Sequence, residues 1–210
     1  AFVAVGAYTV AMLTHHLGWA YIAAFPCAII ASALVGLVFG LPALRIRGFY
    51  IALSTMAAQF IIIWLISSGG NITGGFIGLA VPPPQFGNIV INTEKAFFYL
   101  IMVVMVLMTF LSKNLVRMKL GRAFIAVRDN DTAAQFMGIN VFYYKLLAFM
   151  IASACAGAAG ALYAPYLGML TPGHFSFEES IWYLGYIIVG GMGSITGVYF
   201  GVIFFVILKY

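Results

Sequence analysis

The sequence predicts an all-α fold, a polytopic bundle of transmembrane helices, and three observations carry that prediction. Of its 210 residues, 64% are hydrophobic and 7% are charged, whereas a soluble domain carries about a quarter charged residues. Apolar runs near the length of a membrane span, which needs about 20 residues, recur along the chain. When those runs alternate across a bilayer, nearly every Lys and Arg falls on one side. There is too little polar surface to coat a large water-facing domain, so lipid is the expected solvent.

The runs follow in order. Phe2–Leu13 is short and reads as the end of a truncated first span. The chain opens on Ala1 with no Met, as expected for a piece of a longer protein, and no basic stretch marks a signal peptide. Tyr21–Leu44, Phe49–Ser67, Ala96–Ser112, Leu146–Leu170 and Ser180–Leu208 follow as about five full spans, the last interrupted by glycines. Together, 1–210 reads as a single transmembrane domain.

The connections differ in chemistry. Leu44–Gly48 is short and basic, 68–95 is rich in Gly, Pro and Asn, and Thr171–Glu179 carries Pro172 and two acids. Residues 113–145 form the one long charged segment. Alternating spans put Arg45, Arg47, Lys113, Arg117, Lys119, Arg122, Arg128, Lys145 and Lys209 on one side and only Lys95 on the other. The positive-inside rule then makes 113–145 cytoplasmic and leaves 68–95 and 171–179 external. Trp19, Tyr21 and Trp182 fit an interfacial belt.

Small residues recur at every fourth position: Gly36 and Gly40; Ser153, Gly157 and Ala161; Gly193, Gly197 and Gly201. That spacing lets helices approach closely, so packing is its plain reading. The cluster Gly190-Gly191-Met192-Gly193-Ser194 says more. Its glycines weaken a helix, and a break at membrane depth is tolerated only inside protein or along a cavity. Gly190, Gly191 and Gly193 are therefore candidate hinge or pathway residues.

Several function classes are excluded or disfavoured. No Asp, Glu, Lys or Arg lies well inside a span, which argues against a self-contained proton-driven pump. The chain has no GxxxxGK[ST] loop to cradle ATP, and no HExxH or GxSxG for hydrolysis. No cofactor is expected on this chain, and no enzymatic step. The adjacent His15 and His16 point in different directions on a helix and make a poor metal pair. Cys27 and Cys155 sit in apolar runs with no CxxC, so packing is expected of them rather than a disulfide. The net charge of +5 comes from the connections, with no basic-aromatic surface for nucleic acid. Either the pathway is passive or its energy comes from a partner.

The charged segment is where a partner would dock. Within Gly121–Asn140, Asn130 or Asp131 is placed to cap a helix over Thr132–Met137, and Gly138 suits the left-handed position that ends it. Ala133 and Ala134 offer a close-packing face, with Phe136 and Met137 as knobs. Such a helix fits a groove on another protein or lies on the bilayer surface. The residues alone leave both open.

Ala133-Ala134-Gln135-Phe136-Met137-Gly138 resembles the cytoplasmic signature of permease subunits in ATP-binding-cassette importers. Thr132 stands where the general signature has Glu, and the later Leu-Pro is missing. Both departures suit the branched-chain amino acid permease group, which includes urea and short-amide permeases. Gly121–Asp131 closely resembles that group, as do Pro42–Tyr50, Thr73–Leu79 and Gly190–Ser194 with Gly197. The resemblance covers about 1–208.

It implies a permease subunit in the inner membrane of a bacterium or archaeon, paired with a second permease subunit. Two ATPase subunits would hold ATP and Mg and grip Thr132–Met137, and a periplasmic binding protein would deliver substrate. Thr132, Ala133, Ala134 and Gly138 would dock the ATPase. Arg122, Arg128 and Asp129 would position the segment or pair with the ATPase, unless Arg128 and Asp129 bridge each other. Gly74, Gly75 and Gly78 would shape the external mouth, unless they serve only a turn. Branched-chain amino acids are the implied substrate. Urea or short amides, and a passive channel or ion-coupled carrier, are the alternatives.

Overall fold

The computed structural model describes residues 1–44, 50–86, 89–90 and 93–209. Arg45 and Arg47 lie outside them. The chain divides into two compact units, Ala1–His174 and Phe175–Tyr210.

The first unit runs α1 (Phe2–His16), α2 (Tyr21–Ala43), α3 (Tyr50–Ser68), α4 (Gly70–Thr73), β1 (Leu79–Ala80), β2 (Gln85–Phe86), β3 (Ile89–Val90), α5 (Glu94–Arg117), α6 (Lys119–Asp129), α7 (Asp131–Phe136), α8 (Val141–Leu167) and β4 (Met169–Leu170). Its core is α1, α2 and α8. Small residues place it there. α2 buries Ala24, Ala28, Ser32, Gly36 and Gly40, one per turn, and α8 buries Ser153, Gly157, Gly160, Ala161 and Ala164. A Cβ on Gly36 would strike the Ser153 side chain, and one on Gly6 would enter the backbone of Gly157. Lipid tails are as apolar as Leu, so helices in a membrane associate through such close packing and through hydrogen bonds between them. Tyr21 Oη donates to the Ala161 carbonyl at 2.9 Å, and Ser32 Oγ donates to the Phe2 carbonyl at 3.3 Å. Packing is thus what the stripes on α2 and α8 do. Cys27 is half-buried, Cys155 is exposed, and both are free thiols.

These contacts fix direction. Gly36 meets Ser153 while Ser32 meets Gly157, so α2 and α8 are antiparallel. Ala43 and Val141 therefore share one end of the unit, with α6 and α7. At the other end His16 Nε2 lies 2.9 Å from the Ile72 carbonyl oxygen, and β1 pairs with β4, Leu79 opposite Leu170. The bundle is polytopic and helical, as predicted, and the two-residue strands do not change its class.

Among the described residues, Tyr21–Ala43, Glu94–Arg117 and Val141–Leu167 are the three helices long and apolar enough to cross a membrane. α5 has no buried residue. It exposes Phe98, Val103, Val106 and Phe110, a surface suited to lipid or to further protein. α5 also extends beyond the expected Ala96–Ser112.

The second unit holds α9 (Phe177–Gly190) and α10 (Ile195–Lys209). The run Ser180–Leu208, expected to be interrupted at its glycines, is two helices: those ending at Gly190 and starting at Ile195 are bent by 118°. Ser176 caps α9 by accepting from the Glu179 N–H, so the helix starts before Ser180. The glycines cause the bend. Gly191 and Gly193 both adopt φ +96°, a conformation L side chains disfavour. Gly190 and Gly197 then let α9 and α10 touch backbone to backbone.

Candidate functional site

The charged segment folds into two helices. α6 is amphipathic: Gly121, Ala123 and Val127 are buried, while Arg122 and Arg128 are exposed. Gly121 is needed at the corner, since a Cβ there would enter the backbone of Val116 at the end of α5. α7 follows after Asn130. The Asn130 Oδ1 accepts from the backbone N–H of Thr132 and of Ala133, each at 3.0 Å, so Asn130 is the cap. Asp131 instead opens the helix and pairs with Lys145 of α8. The helix spans Asp131–Phe136, one residue earlier than the sequence suggests. Gly138 takes φ +80° with open space around it, the left-handed position expected after a helix end. Asn140 caps α8 through the Tyr143 N–H at 3.1 Å.

A small apolar cluster seats this assembly. Ala134 packs with Val127 of α6 and Val141 of α8, flanked by Ile139 and Tyr144. This corrects the expectation of a shared alanine face. Neighbouring residues on a helix point apart, so Ala134 turns inward while Ala133 is exposed with Thr132. Phe136 and Met137 stand outward, 87% and 83% exposed. Arg128 and Asp129 bridge each other at 3.1 Å. Both are well exposed, and such pairs contribute little stability. Arg122 is exposed on α6.

Beside α7, Phe124, Arg128, Asp131 and Lys145 line a cavity of about 490 Å³. The Phe124 and Tyr144 rings meet edge to face at 6.1 Å.

The glycines at the opposite end do structural work. Gly74 ends α4 at φ +74°, and its carbonyl accepts from the Gly78 N–H at 3.1 Å. A Cβ on Gly78 would stand 2.7 Å from the Leu170 carbonyl oxygen. Gly75 N–H donates to Thr73 Oγ1 at 3.4 Å. The three glycines thus close a turn that holds β1 against β4. Gly190, Gly191 and Gly193 lie at the bend of the second unit.

Sequence reasoning missed three things here: α6 as a helix, the Asp131–Lys145 pair, and the Asn140 cap. Asn140 directly before an apolar run was a readable signal. No spacing rule links residues fourteen apart through a turn.

The whole chain, residues 1–210, matches the family described as branched-chain amino acid transport system / permease component. It is 34% identical to the high-affinity branched-chain amino acid transport system permease protein LivM of Salmonella typhimurium, over 92% of this chain and 51% of that protein. The protein of the same description from Escherichia coli is 34% identical over 99% of this chain and 55% of its own length. The probable branched-chain amino acid transport permease protein LivM of Methanocaldococcus jannaschii is 24% identical over 87% and 53%. The chain therefore spans about half the length of these relatives. No solved structure gives a significant match. The chain is a multi-pass membrane protein and belongs to the branched-chain amino acid transport system permease family.

Proposed function

We propose that the chain is the membrane-spanning part of a permease subunit in an ATP-binding-cassette importer, moving branched-chain amino acids across the inner membrane. α7 carries the reading. It is a capped six-residue helix at the charged end of an otherwise apolar bundle, with two large apolar side chains presented to solvent. A side chain in water costs free energy unless something covers it, and a groove on an ATPase subunit is the proposed cover.

In this mechanism two separate ATPase subunits bind ATP and Mg and each grips one α7. This chain itself holds no cofactor and carries out no hydrolysis. Closure of the ATPases displaces α7. The cluster Val127, Ala134 and Val141 passes the displacement to α6 and α8 because it packs all three helices together. α8 is packed in turn on α1 and α2, so the pathway opens alternately to either side. A second permease subunit completes the pathway, and a periplasmic binding protein supplies substrate at the end holding β1 and β4. Residues 113–145 are cytoplasmic on this reading, and α6 and α7 lie within them. Thr132, Ala133 and Gly138 present the docking surface, and Ala134 supports it from behind.

Uptake of labelled leucine into liposomes tests this. The full-length subunit is reconstituted with the second permease subunit, the ATPases and the binding protein. Uptake is expected only with ATP. Equal uptake without ATP overturns the reading.

A further inference from the structure

At the end of the first unit away from α7, a cleft of about 750 Å³ opens between the start of α5 and the end of α8. Small-molecule sites commonly occupy roughly 300–1,000 Å³. One wall is a single stripe of α5. Glu94, Phe97, Phe98 and Ile101 stand at helical spacings of three, four and seven, so all lie on one face. The facing wall is Pro165 and Tyr166 of α8, and Pro83 and Pro84 close the floor. The Phe97 and Tyr166 rings stack across the cleft, 6.2 Å apart and 14° from parallel. Tyr166 is also stacked on Tyr163 at 6.4 Å. Beyond this stripe, α5 exposes Val103, Val106 and Phe110.

The chemistry is one-sided. Glu94 is the one ionisable carboxylate among the residues lining the cleft, and no Lys or Arg lines it. Among the described residues Glu94 belongs to neither ion pair. Aromatic faces attract cations through the ring quadrupole, and a carboxylate attracts them by charge. Pro, Phe and Ile offer the apolar remainder. We infer that this cleft is a binding site for a primary ammonium on a small aliphatic body, such as an amino acid with a branched side chain, gripped by its ammonium at Glu94 and by its side chain against Phe97 and Tyr166. The proposal rests on the permease reading for its place in transport. It makes the cleft a vestibule that substrate enters before the pathway. An exposed carboxylate and open aromatic walls hold weakly, which suits a site that must release what it receives. The substrate carboxylate has no cation here and remains in water.

That asymmetry gives the test. Binding of labelled leucine is measured on the assembled transporter with its full-length subunit, in the absence of the binding protein. Competition by 3-methylbutylamine, which keeps the ammonium, is compared with 4-methylpentanoate, which keeps the carboxylate. The amine is expected to displace leucine and the acid is not. Glu94→Gln is expected to weaken leucine and the amine roughly fivefold, and Glu94→Asp to recover part of the loss. Equal competition by the acid, unchanged binding in Glu94→Gln, or no leucine binding at all overturns the inference. ATP-dependent uptake by the same preparation separates the two readings. Uptake that needs ATP, with binding indifferent to Glu94, removes this site and keeps the permease. Uptake indifferent to ATP, with the amine preference intact, removes the permease reading and keeps the site.

Discussion

Gly190 and Gly197 face each other across the bend between α9 and α10, so closely that a Cβ on either would run into the other's carbonyl oxygen. Gly201 takes the next turn of the same contact, against the Tyr186 carbonyl. The ring pair Tyr186–Phe205, with centroids 5.0 Å apart, lies beyond it. The two half-helices are therefore held at their bend by backbone contact, and any side chain there must push them apart. Gly197→Val is expected to destabilise the second unit by about 1–3 kcal/mol, the usual range for overpacking. Thermal unfolding of the full-length subunit in detergent measures it. An unchanged midpoint would show that the helices do not approach this closely.

The Asn130 side chain satisfies two of the first free N–H groups of α7, those of Thr132 and Ala133. Asn130→Ala removes both bonds and is expected to cost about 1 kcal/mol of local stability. Hydrogen exchange at the α7 amides should speed roughly fivefold, the equivalent of that energy, while exchange in α8 stays as it was. Asn130→Asp keeps an acceptor and should exchange like the parent. Equal rates in the Ala variant would rule out the cap.

Gly138 separates backbone strain from docking. Its φ of +80° disfavours side chains, yet no atom stands within 4 Å of a Cβ built there. Gly138→Asn tolerates the left-handed region and should preserve ATPase association. Gly138→Arg places a long cation on the exposed surface beside Met137 and should abolish co-purification of the ATPases, with the spans still folded. Normal co-purification of the Arg variant would count against docking at α7.

Tyr21→Phe tests the bond that crosses from α2 to α8. Its hydroxyl donates to the Ala161 carbonyl at 2.9 Å in a site that is buried. Hydrogen bonds between membrane helices average about 0.6 kcal/mol, so a small drop in unfolding free energy is expected. A loss above about 2 kcal/mol would mean that the ring is also displaced from its packing against Phe25 and Ala161.

Much of the fold was legible because lipid imposes simple rules on a sequence. Apolar runs without charge marked α2, α5 and α8, since a charge at membrane depth is costly. The four-residue spacings Gly36–Gly40 and Ser153–Gly157–Ala161 marked helix contacts, though not which helix met which. The Ala133-Ala134 pair was misread as one surface, because the direction of each side chain depends on where α7 rests. That resting place is set by Val127 and Val141, which flank α7 in sequence and meet only when the chain turns back.

The sequence by itself determined the class of molecule, its apolar runs, the charged end and the glycines that weaken the last run, all of which follow from local composition and the bilayer as solvent. Tertiary structure alone decided three things. It chose α8 as the hub, because only antiparallel packing brings Gly36 onto Ser153 and Ser32 onto Gly157 together. It bent the last apolar run by 118°, because Gly190 and Gly197 allow a contact no other residue permits. It also brought Glu94 and Tyr166 to the same cleft, a meeting of residues far apart in the chain that no local pattern encodes.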